Sequence, residues 1–176
     1  MFKKFTKRIS VLFVAITLSL MSVPFAVHAN DEDIITIIHT NDMHGRLAEK
    51  VGYNDSNQTF DYTHLSGLKE YAASVNANFI LDAGDAIQGK PISNLNKGQY
   101  MLDAMLEVGY DAMTIGNHEF DFGHENLSSL RDTYHGKDGF HMVSNNITKN
   151  GTDMFDRSVI LKNNEHKIAI IGVTTC

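Results

Sequence analysis

Asn78-Phe79-Ile80-Leu81-Asp82-Ala83-Gly84-Asp85 is the stretch on which the fold turns. A short apolar run bounded by polar and glycine signals suits a buried strand, and this one ends on two acids and a glycine. Helical patterns stand on both sides. His64 to Val75 carries Leu65, Leu68, Tyr71, Ala72 and Val75 at helical spacing. Gly98 to Val108 does the same with Tyr100, Met101, Ala104, Met105 and Val108, and Gly109 follows as a stop signal.

The alternation continues outward. Ile34-Ile35-Thr36-Ile37-Ile38 is β-branched throughout and predicts a buried strand. Tyr53 to Tyr62 reads as a surface loop. Ala112-Met113-Thr114-Ile115 predicts a third strand running into Gly116-Asn117-His118, and Glu125 to Tyr134 a helix. His141–Ser144, Ser158–Leu161 and Lys167–Val173 are later strand candidates. Strands alternating with helices of this length imply an α/β fold with a largely parallel sheet. In such sheets ligands collect at the carboxyl ends of the strands, where the polar clusters fall here.

The N-terminus is of another kind. Lys3, Lys4, Lys7 and Arg8 precede an apolar stretch from Ile9 to Phe25, and Val27-His28-Ala29 offers small residues at a cleavage site. That order predicts a signal peptide over residues 1–29, cleaved before Asn30, and therefore an extracytoplasmic protein. A permanent anchor is disfavoured by Ser10, Thr17, Ser19, Ser22 and Pro24, so no stable membrane insertion is expected after cleavage. Without the leader, 11 basic residues stand against 21 acidic ones, a formal net charge of −10. No basic footprint for a nucleic-acid polymer is present. An acidic protein acting on an anionic substrate needs local positive charge, and bound metal ions are the usual source. The single cysteine, Cys176, cannot form an internal disulfide.

Three clusters carry chemistry. Asp42-Met43-His44 follows the first strand; two residues apart on an extended backbone, Asp42 and His44 project to one side and can reach one cation. Carboxylate with imidazole suits zinc, manganese, iron or cobalt better than calcium. Gly84-Asp85 ends the second strand, where glycine allows a tight turn and close backbone approach. Gly116-Asn117-His118-Glu119-Phe120-Asp121 ends the third. Asn117 and His118, adjacent in an extended segment, would point in opposite directions, one to metal and one to substrate. Taken singly, each cluster reads more readily as a surface turn. Their common position at the tips of different strands makes them one metal site.

These motifs resemble the calcineurin-like metallophosphoesterase superfamily, in its 5′-nucleotidase branch. Ile38-His39-Thr40-Asn41-Asp42-Met43-His44-Gly45 matches that branch's signature, as do Gly84-Asp85 and Gly116 through Gly123 at the family's spacing. His141–Ile147 and Ile170–Thr175 resemble its later strands, so the likeness covers most of residues 34–175. The resemblance implies a β-sandwich flanked by helices and two divalent metal ions, zinc, manganese or similar. Asp42 and His44 would hold one ion, Asp85 would bridge both, and Asn117 would bind the second. His118 would contact the phosphate and steady the leaving oxygen, with Asp121 holding its imidazole. The implied activity is hydrolysis of nucleotide or other small phosphate esters by a metal-activated water, as a 5′-nucleotidase, a 2′,3′-cyclic-nucleotide phosphodiesterase or a UDP-sugar hydrolase.

The family supplies further metal histidines from later segments, typically a Gly-His-x-His stretch, and this chain has none after His166. Residues 30–176 are accordingly expected to be the N-terminal part of the metallophosphoesterase domain, with its C-terminal part and the nucleotide-binding domain absent. The alternative is a truncated, non-catalytic fragment that binds metal weakly or not at all. His39, His64, His124, His135, His141 and His166 are read as structural or surface residues, with His124 nearest the third cluster, and Arg46 as a solvated arginine near the proposed site.

Overall fold

Short β-branched and apolar runs separated by amphipathic helices build a parallel sheet whose tips all point one way. The computed structural model describes residues 34–47, 52–53, 59–60, 65–163 and 166–175; the proposed leader lies outside them. Backbone contacts divide the chain into two units, Met1–Ile34 and Ile35–Cys176, and all described secondary structure belongs to the second.

The elements run β1 (Ile37–Thr40), β2 (Gly52–Tyr53), β3 (Thr59–Phe60), α1 (Leu65–Ser74), β4 (Phe79–Asp82), α2 (Pro91–Asn94), α3 (Gln99–Val108) and β5 (Ala112–Thr114). After a 3-10 turn at His118–Phe120 come α4 (His124–Tyr134), β6 (His141–Val143), β7 (Thr148–Lys149), β8 (Thr152–Asp153), β9 (Ser158–Lys162) and β10 (Lys167–Ile171). Strands β1, β4, β5 and β6 form one sheet in that order, every neighbouring pair parallel. Ile37 faces Phe79, Leu81 faces Ala112 and Ala112 faces His141. The other paired strands are antiparallel hairpins, β2 with β3, β7 with β8 and β9 with β10.

The pleat sorts side chains to two faces. On one, Ile80, Met113 and Met142 pack with Met101, Leu102, Met105, Leu127, Leu130 and Tyr134 of the helices. On the other, Phe79 and Ala112 meet Leu161, with Val159, Ile168 and Ile170 of the β9–β10 hairpin packed against them. Truncating a fully buried leucine such as Leu102 to alanine in such a core costs about 2–5 kcal/mol. Helix α3 stops where its sequence says it should. Gly109 takes φ 95° and its N–H bonds back to Leu106 and Met105.

The α/β class read from the alternation is the class observed. Two local readings change. Ile34–Ile38 is expected as a buried strand, yet the strand runs Ile37–Thr40 and, among the described residues, lies on the sheet's edge paired only with β4, and Ile37 is 44% exposed. An edge strand has one neighbour, so its outer residues lose cover. The loop expected over Tyr53–Tyr62 contains part of the β2–β3 hairpin.

Candidate metal and phosphate site

Three loops leave the tips of β1, β4 and β5. The first two keep pairing after the strands end: Asp42 N–H bonds to Gly84 O at 3.0 Å, His44 N–H to Asp85 O at 2.9 Å and Gly45 N–H to Ala86 O at 2.8 Å. The backbone is not extended there, however. Asp42, His44 and Asp85 take φ of 51°, 48° and 57°, the left-handed region that Asp, Asn and His enter more readily than most residues. Asp42 and His44 therefore share a side through a turn, not through strand alternation, and His44 Nε2 stands 3.9 Å from Asp42 Oδ1.

The third tip also departs from its expected conformation. Asn117 has helical φ and ψ of −73° and −30°, and His118 opens the 3-10 turn. Asn117 and Asp121 are exposed, and His118 is half-buried. The opposite orientation expected of two adjacent side chains on an extended segment does not apply in a helical turn.

One atom from each of His44, Asp85 and His118 lies within 4.8 Å of the others, and the two imidazoles meet edge to face with centroids 5.0 Å apart. Asp42 joins this group through His44. Asn117 directly precedes His118, whose N–H donates to Asp85 Oδ1 at 2.8 Å. All six residues singled out in the sequence thus belong to one neighbourhood of loops. His118, assigned by resemblance to the phosphate, stands as near Asp85 and His44 as a ligand would.

Hydrogen bonds fix the tautomers. His44 Nδ1 lies 3.0 Å from the carbonyl of Gln88, which only accepts, so Nδ1 carries the proton and Nε2 keeps its lone pair. His118 Nδ1 donates to Asp121 Oδ2 at 2.8 Å, leaving Nε2 out of that bond. That bond to Asp121 holds the His118 imidazole above its ordinary pKa, against the opposing effect of desolvation. The donor set of two imidazoles and two carboxylates, with an amide beside them, fits zinc or manganese. The site therefore passes the chemical test for such ions.

Two acids beneath the loops carry no role in the sequence reading. Asp82, 4% exposed, accepts from the Thr40 hydroxyl at 2.6 Å and Gly84 N–H at 2.8 Å, and burial pushes its carboxyl up to about 7. Glu119 is wholly buried, and its carboxylate accepts backbone N–H groups from Asp85, Ala86, Ile87 and Gly116. Glu119 sits inside the third motif, but nothing in its spacing marks it as buried. Other histidines keep plain roles: His135 accepts from Met142 N–H, and His124 lines a surface cavity of about 410 Å³ with Phe120, Asn146, Ile147, Thr148, Lys149 and Met154. His39 is exposed and His64 lies outside the described residues.

Parallel strands whose tips carry acids, imidazoles and an amide agree with the comparisons: the chain belongs to the calcineurin-like phosphoesterase family, whose profile matches residues 35–171. Among individual relatives, it is 37% identical over 144 residues to Protein UshA of Escherichia coli (strain K12), across 80% of this chain and 25% of that protein. It is 34% identical over 144 residues to the 5′-nucleotidase of Vibrio vulnificus (strain CMCP6), with the same shares of each chain. Among solved structures, the 5′-nucleotidase precursor of Thermus thermophilus superposes with a TM-score of 0.66 at 28% identity, over 80% of this chain and 28% of that one. The chain spans about a quarter of the length of the curated relatives it matches. The resemblance read from the motifs is borne out. Among the described residues no helix is long and apolar enough to cross a membrane.

Proposed function

We propose that this chain is part of an exported, metal-dependent phosphoesterase acting on nucleotide phosphate esters in the manner of a 5′-nucleotidase. The observation that carries the reading is the convergence of His44, Asp85 and His118 from three strand tips. Asp42 and His44 would hold one ion, Asp85 would bridge and Asn117 would hold the second. When bound, divalent cations lower the pKa of a water and offset the charge on phosphoryl oxygens.

The chain's own groups supply the rest. His44, whose Nδ1–H donates to Gln88 O, keeps Nε2 3.9 Å from Asp42 Oδ1. His118, held by Asp121, would offer Nε2 to a phosphoryl or leaving-group oxygen and hold a proton there. The acidic surface charge would otherwise repel a phosphate, so binding depends on the metals and on His118. Export rests on residues 1–29, and N-terminal sequencing of secreted material should begin near Asn30.

The test is phosphate release from AMP, a 2′,3′-cyclic nucleotide and a UDP-sugar, each with EDTA, manganese or zinc. Release from AMP restored by metal is the expected result. A second reading, a non-catalytic chain holding metal weakly, is favoured by the 60% exposure of the Asp42 side chain and the exposure of Asn117. No turnover of any ester, with metal lost on gel filtration, would select it.

A further inference from the structure

We propose that Glu119 is the positioning residue of this site, a buried anion that clamps the Asp85 loop to the His118 loop and so sets the distance between them. The inference rests on the phosphoesterase reading above. Glu119 Oε2 accepts Asp85 N–H at 2.8 Å and Gly116 N–H at 2.7 Å, one bond from each loop. Oε1 accepts Ala86 N–H at 2.7 Å and Ile87 N–H at 3.3 Å. Burial pushes the Glu119 carboxyl above its ordinary pKa, and four N–H donors converging on two oxygens oppose that by favouring the carboxylate.

The loops it joins are pressed together backbone to backbone. A Cβ on Gly116 would lie 2.6 Å from Asp85 N, and a Cβ on Gly84 would lie 2.7 Å from Gly116 N. Both positions need glycine for that approach. Two N–H dipoles aimed at one point repel unless an acceptor lies between them, and Glu119 Oε2 is that acceptor. The clamp reaches further through Asp85 and Ala86, whose carbonyls accept from His44 and Gly45. In return, His118 N–H holds Asp85 Oδ1. Glu119 touches no substrate; it acts through the groups it positions.

Glu119→Gln keeps the size but puts an NH2 group against two N–H donors. Glu119→Asp keeps the charge and shortens the reach by one methylene. The experiment compares amide hydrogen exchange and Mn²⁺ affinity, the latter by electron paramagnetic resonance, in the full chain and both variants. In Glu119→Gln the amides of Asp85, Ala86, Ile87 and Gly116 should exchange at least about tenfold faster, with His44 and Gly45 following, while the helices keep their protection. Mn²⁺ affinity should fall on the order of 10–100-fold, the range for groups that orient ligands. Glu119→Asp should recover part of both.

Unchanged exchange at the four amides, or unchanged Mn²⁺ affinity in a chain that binds the ion, overturns the proposal. A uniform loss of protection across α3 and α4 overturns it as well, because that is a merely structural role. A chain that takes up no Mn²⁺ but loosens at these four amides refutes the metal reading and leaves the clamp standing. If Glu119→Gln does not fold, Glu119→Asp is read by the same criteria.

Discussion

At the strand tips His44 and His118 meet edge to face with ring centroids 5.0 Å apart; along the β6 edge His135 and His141 do the same at 5.4 Å. Each pair has carboxylates beside it, Asp42, Asp85 and Asp121 in the first case and Asp111 and Asp156 in the second. Composition alone cannot tell them apart. Bonding can. At the β6 edge, His135 Nδ1 accepts Met142 N–H at 3.1 Å, His135 Nε2 stands 3.3 Å from Asp156, and Asp111 accepts Ile80 N–H at 2.8 Å. His135 is thus engaged on both ring nitrogens, and His141 Nδ1, which has no hydrogen-bond partner among the described residues, is buried away from solvent. At the tips, a backbone carbonyl and Asp121 engage only the Nδ1 side of each ring, so both Nε2 atoms stay out of these bonds. A binding site is distinguished by what its side chains are not already doing.

The largest test of that contrast is metal uptake. Asp85→Ala should lower Mn²⁺ affinity by more than about 100-fold, beyond the range for supporting groups, whereas Asp156→Ala should leave it unchanged. Equal losses in an isothermal titration would erase the distinction.

Next is the pH dependence of Asp82. Its folded carboxyl titrates at about 7 against 3.8 ordinarily, with burial the main cause. Below 3.8 both folded and unfolded chains keep the proton. Between there and about 7 the unfolded chain releases it while the fold retains it, so rising pH stabilises the unfolded state. Relative to Asp82→Asn, the wild type should lose on the order of 4 kcal/mol at most across that window, and no more above it. Parallel urea curves for the two proteins from pH 4 to pH 8 would contradict this.

A smaller effect is expected at the other cluster. His135→Ala strands the buried Met142 N–H and should cost about 1–3 kcal/mol in urea unfolding, with Mn²⁺ binding intact. The smallest concerns Asp121→Ala, which removes the hydrogen bond that raises the His118 pKa. In EDTA its imidazole resonance should titrate lower than in wild type, toward the ordinary histidine value. The stabilisation from that pair is complete below the unfolded histidine pKa and is lost as pH rises through the folded one. An unmoved titration midpoint would break the assignment.

Much of this was legible from residue order. Asn78–Leu81 announced β4, Gly109 announced the end of α3, and the strand tips placed His44, Asp85 and His118 close together. What failed were conformations. The shared side of Asp42 and His44 was derived from an extended backbone, but both lie at positive φ because hydrogen bonds to Gly84 and Asp85 turn the loop. Asn117 and His118 likewise entered a 3-10 turn, where alternation has no meaning. Glu119 was quoted in its motif and given no role, because an acid reads as solvated until its four donors are seen. Apart from the bond to Gly116, these donors lie 32 or more residues away along the chain, and local pattern holds no record of them.

The pairing of the first two loops beyond the ends of β1 and β4 has a further consequence. Three backbone hydrogen bonds of 2.8–3.0 Å tie the two loops together whatever side chains they bear. Asp42 and Asp85 are therefore spaced by a ruler that amino-acid replacement does not stretch. Outside Gly45, Gly84 and the left-handed positions Asp42, His44 and Asp85, such loops should accept exchanges of residue type, yet a single inserted residue in either would slip the ruler by one division and separate the groups for good.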